Sequence, residues 1–150
     1  MNTYLVLKTL HVLSAMVVLG TGIGIAWYTL RGWQSRDRRI LSWISRETII
    51  ADWLFTATAC LLLLASAAGM LISNPAWLHQ RWLHLAMMLT AAVFLLWLPV
   101  LALQYRLRKA SAGPGEVDTT PIMGLWCLLG ACALPLMVAI VYLMVAKPAL

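Results

Sequence analysis

Ile49-Ile50-Ala51-Asp52-Trp53-Leu54-Phe55-Thr56-Ala57-Thr58-Ala59-Cys60, continuing as Leu61-Leu62-Leu63-Leu64-Ala65-Ser66-Ala67-Ala68-Gly69-Met70-Leu71-Ile72, is an apolar run whose one acidic or basic residue is Asp52. Such a run meets the roughly 20 residues that a helix needs to cross a 30 Å hydrocarbon layer. It lacks the period-two alternation of a barrel strand, so a helix is the element that satisfies its backbone in lipid. Three further runs of the same kind cover residues 4–27, 82–103 and 123–145. The sequence therefore predicts an all-α fold: a four-transmembrane-helix bundle forming one domain over residues 1–150.

Composition points the same way. The chain is 63% hydrophobic and 11% charged, whereas soluble domains carry about a quarter charged residues. A water-soluble domain of this size could not hide so much apolar surface. The connections are short: a basic one after the first run, a tight one at Ser73-Asn74-Pro75, and one from Ala110 to Pro121. None holds a soluble domain, so any function lies in the bundle or at its ends.

Arg31, Arg36, Arg38, Arg39 and Arg46 in the first connection, with Arg106, Arg108 and Lys109 in the third, make eight of the 11 basic residues. The positive-inside rule puts both connections in the cytoplasm and both termini outside, N-out/C-out. These charges are explained by topology and anionic lipid, and nucleic acid is not an expected partner. Lys8 interrupts the first run and no cleavage site follows it, so that run reads as a retained helix, not a signal peptide.

At an offset of 73, Lys8-Thr9-Leu10-His11 aligns with Arg81-Trp82-Leu83-His84, Ile49 with Ile122 and Trp53 with Trp126. This suggests a parallel two-fold internal repeat about an axis along the membrane normal. Recurrence of basic and aromatic residues at helix ends is the alternative origin. Either way His11 and His84 share a depth, roughly 10 Å below the outer surface at 1.5 Å per residue. Lys8 and Arg81 lie one turn outward on the same faces.

Ionisable residues within a bilayer are costly and mark functional sites. Neutral imidazole ligates haem iron, copper and zinc. His11 and His84 are therefore candidate axial metal ligands of a haem b, with Lys8 and Arg81 as candidate cofactor-binding partners of its propionates. Helix packing through hydrogen bonds is the competing role for both histidines. Asp52 is expected to pair with Arg31, Arg46 or Arg106. Gly20, Gly22 and Gly24 lie inside an apolar helix, where Gly20 and Gly24 suit close helix contact. Cys60, Cys127 and Cys132 read as packing residues. Met16 and Met88 near the histidines suggest copper-thioether binding as a further alternative. Trp27, Trp33, Trp77, Trp82 and Tyr4 read as interfacial belts, and Pro99 and Pro135 as kinks that shape a cavity.

Five stretches together carry a family resemblance: 7–14 (LKTLHVLS), Gly20-Thr21-Gly22, Ala51-Asp52-Trp53-Leu54-Phe55-Thr56, Trp97-Leu98-Pro99-Val100 with Gln104 and Arg106, and 143–148 (LMVAKP). Over nearly its whole length the chain resembles the bacterial predicted integral membrane proteins grouped as a domain of unknown function (DUF 2269). That resemblance implies a multi-pass protein of the bacterial inner membrane. The Lys8-x-x-His11 start is also similar to that of the haem-b protoporphyrinogen oxidases, and loosely to copper-resistance membrane proteins. The oxidase similarity implies haem binding at His11.

Three functions stay open on these readings. The first is a haem-b protein with an electron-transfer or oxidoreductase role. The second is a non-enzymatic scaffold or accessory subunit. The third is a small transporter or copper-handling protein. Expected partners are the lipid bilayer and either a second copy in a homodimer or a membrane redox protein.

Overall fold

The computed structural model describes residues 3–113 and 117–148. Four long helices run in sequence: α1 (Thr3–Gln34), α2 (Arg38–Ser73), α3 (Arg81–Ala112) and α4 (Thr120–Ala146). Each contains one of the four apolar runs. The helices extend beyond them because hydropathy marks the lipid layer, while backbone hydrogen bonding continues into water until a capping or turn residue stops it. The connection from Ala110 to Pro121 has Pro114, Gly115 and Glu116 outside the described residues.

What reads as a basic loop is a tight turn, Ser35–Asp37, followed by helix from Arg38 onward. Arg36 adopts a left-handed conformation (φ 56°) that reverses the chain. Asp37 then caps α2, its Oδ1 accepting from the backbone N–H of Arg39 at 2.8 Å and of Ile40 at 3.4 Å. The first turns of α2 are amphipathic: Leu41, Ser45, Thr48 and Ile49 are buried while Arg39 and Arg46 are exposed. Arg38 ties this end to α3, its Nη2 donating to the carbonyls of Ala110 (3.3 Å) and Gly113 (2.6 Å). That places a cation against the negative end of the α3 dipole.

The helices pack as two pairs, α1 with α2 and α3 with α4. Within lipid such packing rests on close fit and polar contacts, since hydrocarbon offers no hydrophobic gradient between helices. In the first pair Gly32 lets Ile44 approach so closely that an added Cβ would lie 2.6 Å from its Cδ1. The hydroxyls of Thr29 and Thr48 bond at 3.0 Å in the same buried seam. Gly69 gives Leu7 comparable room at the far end. Gly20 and Gly24 behave differently from the expectation of close contact: nothing lies within 4 Å of a Cβ built on either of them, nor on Gly22.

The pairs meet mainly at the end that carries the basic residues. There Leu41, Leu103, Leu107, Met123 and Trp126 form a buried apolar cluster. The first part of α2, 38–51, packs on α3, whereas residues 58–73 pack on α1 but on neither α3 nor α4. The other end is bridged by side chains around the short 3-10 turn Pro75–His79. Tyr4 meets Trp77 edge-on at 5.8 Å, and the Lys147 ammonium lies 5.0 Å from the Trp77 ring and 5.7 Å from that of Trp82. The two pairs are thus joined at both ends and separated between them.

Candidate functional site

α2 does not run as a uniform helix through the membrane. Asp52–Ala57 forms a π-helical turn between α-helical segments. Such turns widen the helix and redirect the side chains that follow, and they occur frequently at functional sites. Here the turn begins at Asp52 and carries Thr56, both of them buried. Asp52, Thr56 and Cys60 then stand at four-residue intervals on the face turned toward the second helix pair.

That face lines a cavity of about 400 Å³ bounded by all four helices. Gly22 and Ala26 of α1, Phe94 and Trp97 of α3, and Gly130 and Met137 of α4 are among its walls. The lining is overwhelmingly apolar. Glycine and alanine on α1 and α4 leave space where larger side chains would close it, and Gly22 and Gly130 have no neighbour within 4 Å of a Cβ position.

At its basic end the cavity has a polar floor. Gln104, 1% exposed, donates from Nε2 to Asp52 Oδ2 at 2.7 Å. A charge-assisted bond of this kind is among the stronger ones available in a protein. Asp52 is therefore partnered by an amide of α3 and not by Arg31, Arg46 or Arg106. Those arginines are exposed, and none of them lines the cavity.

Residues of the cavity lining carry side-chain polar atoms that are buried and without a hydrogen-bond partner. Among the described residues there are four: Thr56 Oγ1, Trp97 Nε1, Gln104 Oε1 and Trp126 Nε1. All four residues line this one cavity. Buried polar groups are normally satisfied, and each exception calls for an explanation. Leaving one unsatisfied costs about 1–3 kcal/mol. Four exceptions gathered on one surface form a set of two donors, one acceptor and one hydroxyl that can do both.

The residues chosen from the sequence lie elsewhere. His11 is half-buried and faces α2: its Nδ1 lies 3.1 Å from the Leu63 carbonyl and 3.2 Å from Ser66 Oγ. A carbonyl can only accept, so the contact with Leu63 is a hydrogen bond when Nδ1 carries a proton. The Ser66 hydroxyl donates in turn to the Leu62 carbonyl at 2.7 Å. His84 is exposed on α3, as are Lys8 on α1 and Arg81 at the start of α3. The backbones of α1 and α3 do not approach each other, and none of these four residues lines the cavity. Within one chain they do not converge on a frame for haem b. Met16 and Met88 are exposed, and the described residues contain no group of three or more His, Cys, Asp or Glu placed to hold a metal ion.

Sequence reasoning passed over Thr56, Trp97 and Trp126 as site residues and met Gln104 only within a family motif. The available signal was the spacing of Asp52, Thr56 and Cys60 on one face, with a second long polar side chain, Gln104, near the same membrane boundary. Cys60 and Cys127 line the cavity, while Cys132 is exposed. α3 and α4 continue as helices through Pro99 and Pro135.

One family model matches residues 5–148; its description reads "Predicted integral membrane protein (DUF2269)". No curated protein and no solved structure matches the chain.

Proposed function

The chain belongs to the DUF2269 family of predicted integral membrane proteins, and on that footing we propose that it binds an apolar molecule with a polar head inside the bilayer. The molecule sits between the two helix pairs, with its head on the floor made by Asp52, Thr56, Gln104 and Trp126. The observation that carries this reading is that, among the described residues, the four with an unpartnered buried polar side-chain atom all line one apolar cavity. A small-molecule site has this composition: apolar walls for most of the ligand and a few placed polar groups that fix its orientation.

The energetic argument is one of pairing. An apolar tail gains little by leaving lipid for an apolar cavity, so selectivity must come from the head. Each head-group bond relieves a buried atom that otherwise carries a cost of about 1–3 kcal/mol. The lining then favours a head with oxygens that accept from the indole N–H groups of Trp97 and Trp126. It also favours a donor toward Gln104 Oε1.

Location and orientation belong to the same reading. With the eight basic residues of the first and third connections in the cytoplasm, the chain sits in a cytoplasmic membrane with both termini outside. The polar floor lies toward the cytoplasmic face. The role is then to hold or carry an amphiphile. The bonds from His11 to Leu63 and Ser66 favour a packing role for that residue over metal ligation.

The test is equilibrium binding of 1,2-octanediol to the chain in phosphatidylcholine nanodiscs, corrected for partition into empty discs. Saturable binding is expected, and Gly22→Phe combined with Gly130→Phe should abolish it by filling the cavity. Binding that never saturates, or that survives filling, would contradict the proposal.

A further inference from the structure

The head group can be narrowed further, and this step rests on the binding reading just given. Asp52 is 4% exposed. Its carboxylate faces a lining that includes no lysine, arginine or histidine. The hydrogen bond from Gln104 lends it partial positive charge but no counter-ion. A carboxylate held at a membrane cavity without a cation is costly, and functional sites are where that cost is met.

The atoms beside Asp52 complete a pattern. Gln104 has committed an amide N–H to the carboxylate, and its Oε1 is an acceptor buried without a partner beside the cavity. Thr56 Oγ1 offers a second acceptor. Asp52, Gln104 and Thr56 are thus three acceptors around one negative charge, matching the three N–H donors of a primary ammonium. Trp97 and Trp126 border the same space, and indole faces attract cations when water is excluded. Their N–H groups remain for an oxygen carried beside the nitrogen.

We propose that the cavity selects a protonated amphiphilic amine bearing a neighbouring hydroxyl or carbonyl, with the Asp52 carboxylate as its counter-charge. A neutral head of the same shape fills the cavity but forgoes the charged contact. An anionic head meets Asp52 as a like charge.

Three probes of one shape separate these cases: 2-amino-1-octanol, 1,2-octanediol and 2-hydroxyoctanoate, titrated near neutral pH into the chain in phosphatidylcholine nanodiscs. The protonated amine should bind at least about tenfold tighter than the diol, given the larger value of hydrogen bonds to charged groups. The hydroxy acid should bind most weakly. Asp52→Asn should bring the amine and the diol to the same affinity. The order among the three probes tests the idea on the unaltered chain, whatever the stability of the variant. Saturable diol binding at or above the amine's affinity overturns the charge assignment and leaves the binding function standing. An amine preference retained in Asp52→Asn places the recognition on another group and also overturns it. No saturable binding of any probe overturns both readings.

Discussion

Gln104 Nε2 lies 2.7 Å from Asp52 Oδ2, and this contact between two buried side chains joins the two helix pairs at the floor of the cavity. The bond fixes the amide so that its Oε1 remains without a partner. One interaction thus serves packing and leaves a buried acceptor without a partner on a residue of the cavity lining.

The pair is asymmetric under substitution. Gln104→Leu removes the partner of a buried carboxylate and should cost about 1–3 kcal/mol, whereas replacing both residues by leucine should cost far less, because an apolar pair leaves nothing unpaired. A double-mutant cycle on thermal unfolding in detergent reads the coupling directly. Additive single and double variants would show that the two residues do not act together.

The two histidines should respond differently. His11→Leu loses the bonds to Leu63 and Ser66 and is expected to destabilise by about 0.5–1.5 kcal/mol, in the range of interhelical hydrogen bonds in membranes. His84→Leu, on an exposed surface, should change stability by less than about 0.5 kcal/mol. Unfolding midpoints of the two variants check this. Equal losses, accompanied by a Soret band that both variants remove, would instead indicate a shared haem.

The glycines divide in the same way. Gly20→Ala and Gly24→Ala should stabilise α1 by up to about 1 kcal/mol, the helix-propensity gain of alanine over glycine. Gly32→Val should cost about 1–3 kcal/mol, because it overfills the contact with Ile44. Thermal unfolding distinguishes the sets, and a destabilised Gly20→Ala variant would mean that this face is covered by another helix.

Orientation is accessible through single cysteines introduced into a chain whose Cys60, Cys127 and Cys132 are replaced by alanine. In intact cells a membrane-impermeant maleimide should label Asn74→Cys and leave Ser35→Cys unlabelled. The reverse pattern would invert the topology inferred from Arg31, Arg36, Arg38, Arg39, Arg46, Arg106, Arg108 and Lys109.

The four spans were legible because lipid imposes one rule on every segment: long, apolar and internally hydrogen-bonded. The helix ends were less so. Residues 38–48 are too polar for a hydropathy reading, and only the Asp37 cap and the buried Leu41, Ser45 and Thr48 reveal a helix. The site was legible in one member. Asp52 stands out in an apolar run, but its partner Gln104 sits 52 positions away, and the pairing depends on helix rotation, which packing sets. His11 and His84 share a depth in the sequence, yet depth leaves azimuth free. His11 turns to α2 and His84 to the outside. The π-helical turn at Asp52–Ala57 has no simple sequence signature, and it brings Asp52 and Thr56 into the cavity together.

The central claim is that the unpartnered atoms at the cavity floor receive a ligand's head, and their own resonances report it most directly. The chain has eight tryptophans, whose indole N–H groups give separate signals in a nitrogen–proton correlation spectrum of the labelled protein in nanodiscs. Assignment follows from single Trp→Phe variants. On titration with 2-amino-1-octanol, the signals of Trp97 and Trp126 should move downfield as their N–H groups gain an acceptor. Those of the exposed Trp27 and Trp43 should stay in place. Shifts spread evenly over all the indoles, or none at Trp97 and Trp126, would contradict the account.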